Sequence, residues 1–219
     1  KALKEKYPEK FVWASNAFTN TSWYKRWWDY LTLYIGASQG NAFIENNTLV
    51  ADDEAAVAVY GFFDEMNKNG YLLAQEVTDP FETGISLATQ FVPFRFKAMH
   101  EKYPDLVYGT NYAVASAPVP DGVPTDEVKT MSDNKGVVIY SQVPEEQQKA
   151  AYEFIKWVYT DGAHDAEWMD TTYLLPAQDN LISNDEFKEL FDGAPELVPF
   201  AENVSNAVPA IDNASYVET

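Results

Sequence analysis

Three kinds of side chain in this sequence could do chemistry: rings set beside amides, carboxylates in large number, and two histidines. The strongest grouping is Ser15 to Ser22 (SNAFTNTS) running into WYKRWWDYLTLYIGASQG, which puts Asn and Thr side chains next to Trp23, Tyr24 and Trp27. The apolar face of a pyranose stacks on an aromatic ring while its hydroxyls seek polar neighbours, so this pairing is what a carbohydrate site requires. The same stretch also reads as the core face of an amphipathic helix, with Trp23, Trp27, Tyr30, Leu31 and Tyr34 at helical spacing. With 6 Trp, 14 Tyr and 13 Phe, the chain has rings enough for both uses.

Signatures of catalysis are sparse. There is no G-x-S-x-G elbow, no phosphate-binding glycine loop, and no G-x-G-x-x-G after a strand. Among 34 Asp and Glu residues a glycosidase-type carboxylate pair has candidates in plenty, but nothing selects two of them. His100 and His164 lie in no H-E-x-x-H pattern, and His164 with Glu167 reads as a solvated helix face rather than a metal site. Asp52-Asp53-Glu54 lacks the alternating spacing of a calcium loop and reads as a capped helix start. The absence of cysteine removes disulfides, thiolate metal sites and cysteine nucleophiles together. No catalytic residue, metal ligand or cofactor is expected, and an enzyme is the weaker hypothesis.

A net charge of -19 repels phosphate backbones, which disfavours nucleic acid as a partner. No apolar run approaches the length of a membrane span, and the opening KALKEKYPEK carries no signal peptide.

The elements that must position these residues alternate between strand and helix, which predicts an α/β fold. Phe11–Ala14 reads as a buried strand, Asn41–Val50 as a hairpin turning at Glu45-Asn46-Asn47, and Asp53 onward as a helix capped by Asp52 or Asp53 and stopped at Asn69-Gly70. A short helix and turn from Asp79 lead through Gly84 into a strand that ends in Gln90-Phe91-Val92-Pro93-Phe94-Arg95-Phe96, followed by a helix to His100. Tyr108–Pro120 reads as an edge or crossing strand and Gly136–Ser141 (GVVIYS) as a strand. From Pro144 a helix carries Ala151, Phe154, Ile155 and Val158 on one face, and Asp161-Gly162 is expected to end it. A second helix leads to the exit Tyr173-Leu174-Leu175-Pro176, and further helical patterns cover 184–191 and 199–206.

The wording of that last region is distinctive. KAAYEFIKWVYTDGAHDAEWMDTTYLLPAQDNL resembles the C-terminal signature of family 1 extracellular solute-binding proteins of ABC importers, the maltose-binding-protein-like group. The matching residues are Ala151, Phe154, Ile155, Lys156, Trp168, Tyr173, Leu174 and Pro176. Further blocks agree in order: Phe81 with 84–89, Val92-Pro93-Phe94 in place of a Gly-Pro-Trp turn, Tyr112–Pro120, and the loop 132–136. Phe at 94 and Val at 92 depart from the family pattern.

The resemblance implies a periplasmic-binding-protein-like (type II) lobe, a mixed sheet flanked by helices, with the first lobe largely missing. It divides the chain into 1–108, the core of the second, C-terminal lobe; 109–160, a crossing segment normally completing the first lobe; and 161–219, a return to the second lobe with its C-terminal helices. The helix around Phe154 and Trp157 is accordingly the element expected to be least packed. The implied function is the extracellular substrate-binding component of an ABC importer, closing on a sugar or oligosaccharide and delivering it to membrane permease subunits. Its location would be extracellular, lipid-anchored at the cell surface or periplasmic. Implied ligand contacts are Asn20, Trp23, Tyr24, Trp27, Gln90, Phe94 and Tyr216. The alternatives are a binder of a polyamine or organic anion and, from a different class, a glycoside hydrolase.

Overall fold

The computed structural model describes residues 1–133, 136–178 and 180–209. After a short helix α1 (Ala2–Lys6), the run FVWA forms β1 (Phe11–Ala14). It suits the middle of a parallel sheet, where both faces are covered and apolar side chains need not alternate with polar ones. One turn of helix α2 (Asn16–Thr19), α3 (Trp23–Ala37), a hairpin of β2 (Ile44–Glu45) and β3 (Thr48–Leu49), and α4 (Asp53–Lys68) then lead to β4 (Leu72–Leu73). The chain passes beyond β1 to form β5 (Ser86–Thr89) on its other side. Both pairings are parallel, Trp13 opposite Leu72 and Ala88, so the strand order is β4-β1-β5. The antiparallel part of the expected mixture is the separate hairpin, whose Asn46 and Asn47 both take positive φ (48° and 59°). That is the backbone a two-residue hairpin turn demands and that Asn tolerates.

Helices α3 and α4 cover this sheet. Their buried faces, with Tyr30, Leu31, Tyr34, Ile35, Val59 and Phe63, make the first core. Asp52 caps α4, its carboxylate accepting from Ala55 N at 3.0 Å. The Tyr34 hydroxyl locks hairpin to helix: it accepts from Asp52 N at 2.8 Å and donates to Ala42 O at 3.2 Å.

A second core forms around α5 (Arg95–Lys102), α7 (Gly162–Thr172), α8 (Lys188–Gly193) and α9 (Val198–Glu202). Phe96, Met169, Leu181, Phe187 and Leu197 are its most enclosed members. The strands β6 (Thr130–Met131) and β7 (Ala207–Val208) pair in parallel beside α3.

Several sequence expectations need correction. Tyr108–Pro120 forms no strand; a single bridge joins Tyr108 to Tyr112, and Pro118 and Pro120 can donate to no ladder. The apolar Gly136–Ser141 is mostly exposed and joins no ladder, because no described strand pairs with it. Asp161 does not stop the preceding helix α6 (Glu145–Tyr159). It opens α7 as N-cap, accepting from Ala163 N at 3.0 Å, and Gly162 is absent from the residues of positive φ. The residue that does turn left-handed is Tyr173, with φ 57°, at the C-cap of α7. The helical patterns after Pro176 break into short pieces, with 3-10 turns at Leu181–Ser183, Asp185–Phe187, Pro195–Leu197 and Val204–Asn206. Helix α6 buries no residue and leaves Phe154 62% and Trp157 59% exposed, as the resemblance implied.

Replacing Tyr34 by Phe leaves a buried N–H and a carbonyl without their partner. It is expected to lower stability by about 1–3 kcal/mol, read as a fall in urea midpoint with an unchanged slope.

Candidate functional site

The strand order fixes where a site can be. From β1 the chain leaves towards β4 through the helical crossover, whereas from β5, on the other side of β1, it runs on into α5. In open parallel sheets the usual ligand position is the crevice at the C-terminal ends of two such neighbouring strands, which makes that edge the place to look. The residues at that edge are Ser15 and Asn16 after β1, and Gln90 and Phe91 after β5.

One carboxylate organises them. Asp29, on α3, is buried; it accepts from Ser15 Oγ at 2.9 Å, Asn16 N at 2.6 Å and Asn16 Nδ2 at 3.3 Å. Ser15 also caps α2, accepting from Ala17 N at 3.2 Å. From the β5 side, Gln90 Nε2 donates to the Asp29 carbonyl at 3.0 Å, and Thr89 Oγ1 donates to Ala14 O at 3.0 Å. Burial pushes the Asp29 carboxyl above its ordinary range, while the hydrogen bonds from Ser15 and Asn16 and the Arg95 charge pull it back. Arg95 secures the exit of β5, with its guanidinium 4.5 Å from the Phe91 ring centroid and 3.1 Å from the enclosed Glu82 carboxylate.

The expected contacts separate against this frame. Asn20 caps the end of α2, its Oδ1 accepting from Ser22 N at 2.9 Å. Trp23 is 41% exposed and meets Tyr24 edge-on at 5.8 Å, and Tyr24 in turn meets Trp28 at 5.3 Å. These residues follow β1 directly. Phe94, 50% exposed, stands five positions after β5, which leaves from the same sheet edge. Trp27 is directed elsewhere: it packs edge-on to Tyr30 at 5.7 Å and Phe43 at 5.6 Å, on the flank of the first core. Gln90 gives one amide hydrogen to Asp29, and its Oε1 is buried with no hydrogen-bond partner. Tyr216 lies outside the described residues. Ser15, Asn16 and Asp29 were not singled out by sequence reasoning; a carboxylate embedded in the ring-rich run WWDYL is the signal that could have flagged Asp29.

Among the described residues, no three His, Cys, Asp or Glu side chains gather as a metal site, and no helix is long and apolar enough to cross a membrane.

A family model described as bacterial extracellular solute-binding protein matches residues 1–192. An uncharacterised protein of Listeria monocytogenes EGD-e, of solved structure, is 42% identical with a TM-score of 0.89; the match covers 98% of this chain and 53% of that one. The cyclic alpha-maltosyl-1,6-maltose binding protein of Arthrobacter globiformis is 17% identical with a TM-score of 0.71, over 94% and 50% of the two chains. At that identity the likeness speaks for the fold alone. The chain spans about half the length of both solved structures. No curated protein matches it.

Because burial raises the folded-state pKa of Asp29 above 3.8, the native state takes up this proton before the unfolded one does. Stability contributed by the group therefore rises as pH falls through the raised value and is lost again as pH climbs. The stability of the parent protein minus that of Asp29→Asn is expected to grow between neutral pH and pH ~4, measured by urea unfolding. A difference that shrinks on acidification would show the carboxylate to be held below its ordinary range instead.

Proposed function

The chain belongs to the bacterial extracellular solute-binding protein family, and from that premise we propose that it carries one wall of a sugar-binding cleft. The family is non-catalytic, so the site is read for recognition and not for a reaction. The observation that carries the proposal is the pair of exposed rings, Trp23 at the start of α3 and Phe94 at the start of α5, on segments that follow β1 and β5 from the same edge of the sheet. The amides of Asn16, Asn20 and Gln90 stand on the same two segments of chain. A pyranose needs a ring to stack on and directional partners for its hydroxyls, and this edge supplies both. Trp23, Tyr24 and Phe94 are the proposed stacking rings, with Asn20 and Gln90 as hydrogen-bond partners. Trp27 supports them from the core side, and Tyr216 keeps the role its resemblance implies.

In the whole protein the cleft would close by hinge motion onto the sugar, and the closed form would dock on membrane permease subunits of an ABC importer, at the cell surface or in the periplasm. In this reading residues 1–108 and 161–219 build one lobe, and 109–160 reaches across to the other. The largely exposed rings of α6 and the exposed apolar stretch after Gly136 support that division, since each leaves apolar surface that the described residues do not bury.

The sugar reading rests on the rings. A polyamine or an organic anion is the alternative solute, and the acidic surface disfavours the anion.

Calorimetry on the full-length protein with a panel of oligosaccharides tests this reading. A sugar should bind tightly there and weakly to the present chain alone. Trp23→Ala and Phe94→Ala should each cost about tenfold in affinity, the scale of one ring contact, with no change in thermal unfolding. Trp27→Ala should instead lower the unfolding temperature. Heat evolved with polyamines or organic anions but with no sugar would replace the ligand class.

A further inference from the structure

A second concavity lies away from the strand-end crevice, between α3, α4 and the segment 118–121, with a volume of about 470 Å³. This is within the size range of small-molecule sites. Its floor is apolar, made by Leu33 and Ala37 of α3 and by Val59 and Phe62 of α4. Its outer wall is seated firmly: a Cβ built on Gly36 would lie only 3.1 Å from Val119 Cγ1, so glycine there lets the segment press against α3.

The polar groups of the lining are one-sided. Glu65 and Asp121 are its two charged side chains, and no lysine or arginine lines it. Two of the four segment residues, Pro118 and Pro120, bring a carbonyl but no N–H. The lining is thus rich in acceptors and poor in donors, and carries negative charge above an apolar floor. Gly61 also lines the space. It sits in the interior of α4, where glycine costs helix stability, and a Cβ on it would meet nothing within 4 Å. Among the described residues nothing fills the space above Gly61, so the helix backbone there is open to an occupant.

We propose that this concavity is a second binding site, for a small organic ammonium with an apolar body, whose hydrocarbon fills the floor while its N–H groups meet Glu65 and Asp121. Charge complementarity selects this occupant over a sugar, which would need donors as well as acceptors, and over an anion, which the two carboxylates repel.

The test is titration of the full-length protein, its methyl groups isotopically labelled, with phenethylammonium and separately with uncharged phenethyl alcohol. Saturable shifts are expected at the methyls of Leu33, Val59 and Val119, with the alcohol weaker by about tenfold or more, the scale of a charge-assisted hydrogen bond. The double variant Glu65→Gln/Asp121→Asn should lose most of that preference. Glu5→Gln/Glu9→Gln, with the same change in charge on the exposed N-terminal stretch, should keep it. Equal response to amine and alcohol, equal loss in both double variants, or no saturable shift at these methyls would overturn the proposal. None of these outcomes depends on whether the strand-end crevice binds sugar.

Discussion

The interaction on which this structure most depends is the burial of the Asp29 carboxylate against the end of β1. A carboxylate withdrawn from water must recover its hydration from fixed donors, and here they come from Ser15 and from the backbone and side chain of Asn16. That requirement fixes the path of the chain as it leaves the central strand. The Asp29 backbone carbonyl takes the Gln90 amide, so the exit of β5 is held by the same residue. The two loops that could meet a ligand are therefore tied to one point on α3 and not to each other. Such loops keep their spacing when one of them is loaded, which is the preorganisation a recognition site benefits from.

The two cores divide the labour. The first, between α3, α4 and the parallel sheet, gives the strand-end crevice its rigid floor. The second, built around Phe96, Met169, Phe187 and Leu197, brings residues after 160 back against α5, directly beyond Phe94. Tyr173 marks the cost of that return. A bulky residue in the left-handed region is strained by about 1–2 kcal/mol, and its half-buried ring, with Lys97 Nζ 4.9 Å from its centroid, supplies the compensating contact.

What the sequence disclosed was whatever local chemistry decides. FVWA as a strand, Asp52 as a cap, Asn46-Asn47 as a hairpin turn and the ring-rich helix from Trp23 all follow from a few adjacent residues, and the structure has each of them, although of FVWA it buries only Ala14. GVVIYS has strand composition and forms no ladder, because a strand needs a neighbour that composition does not name. Asp161-Gly162 was expected to end one helix, whereas the cap geometry makes Asp161 the opening of the next. The rings proposed for the site are named by the sequence alone, whereas the Asp29 node is not. Its partners lie 13, 14 and 61 positions away, and only the fold brings them to one place.

The order of the strands carries a consequence for how this molecule comes into being. β1 is the central strand of its sheet, and its neighbours β4 and β5 follow only some 60 and 75 residues after it. No early hairpin can shelter it, and both of its edges must wait for distant sequence. A sheet assembled from such remote pairings has high contact order and closes slowly. The emerging chain therefore stays unfolded for longer than a meander of the same size would, with FVWA unpaired. For a member of an extracellular family that delay is a property of the topology itself: FVWA waits unpaired until β4 and β5 have been supplied.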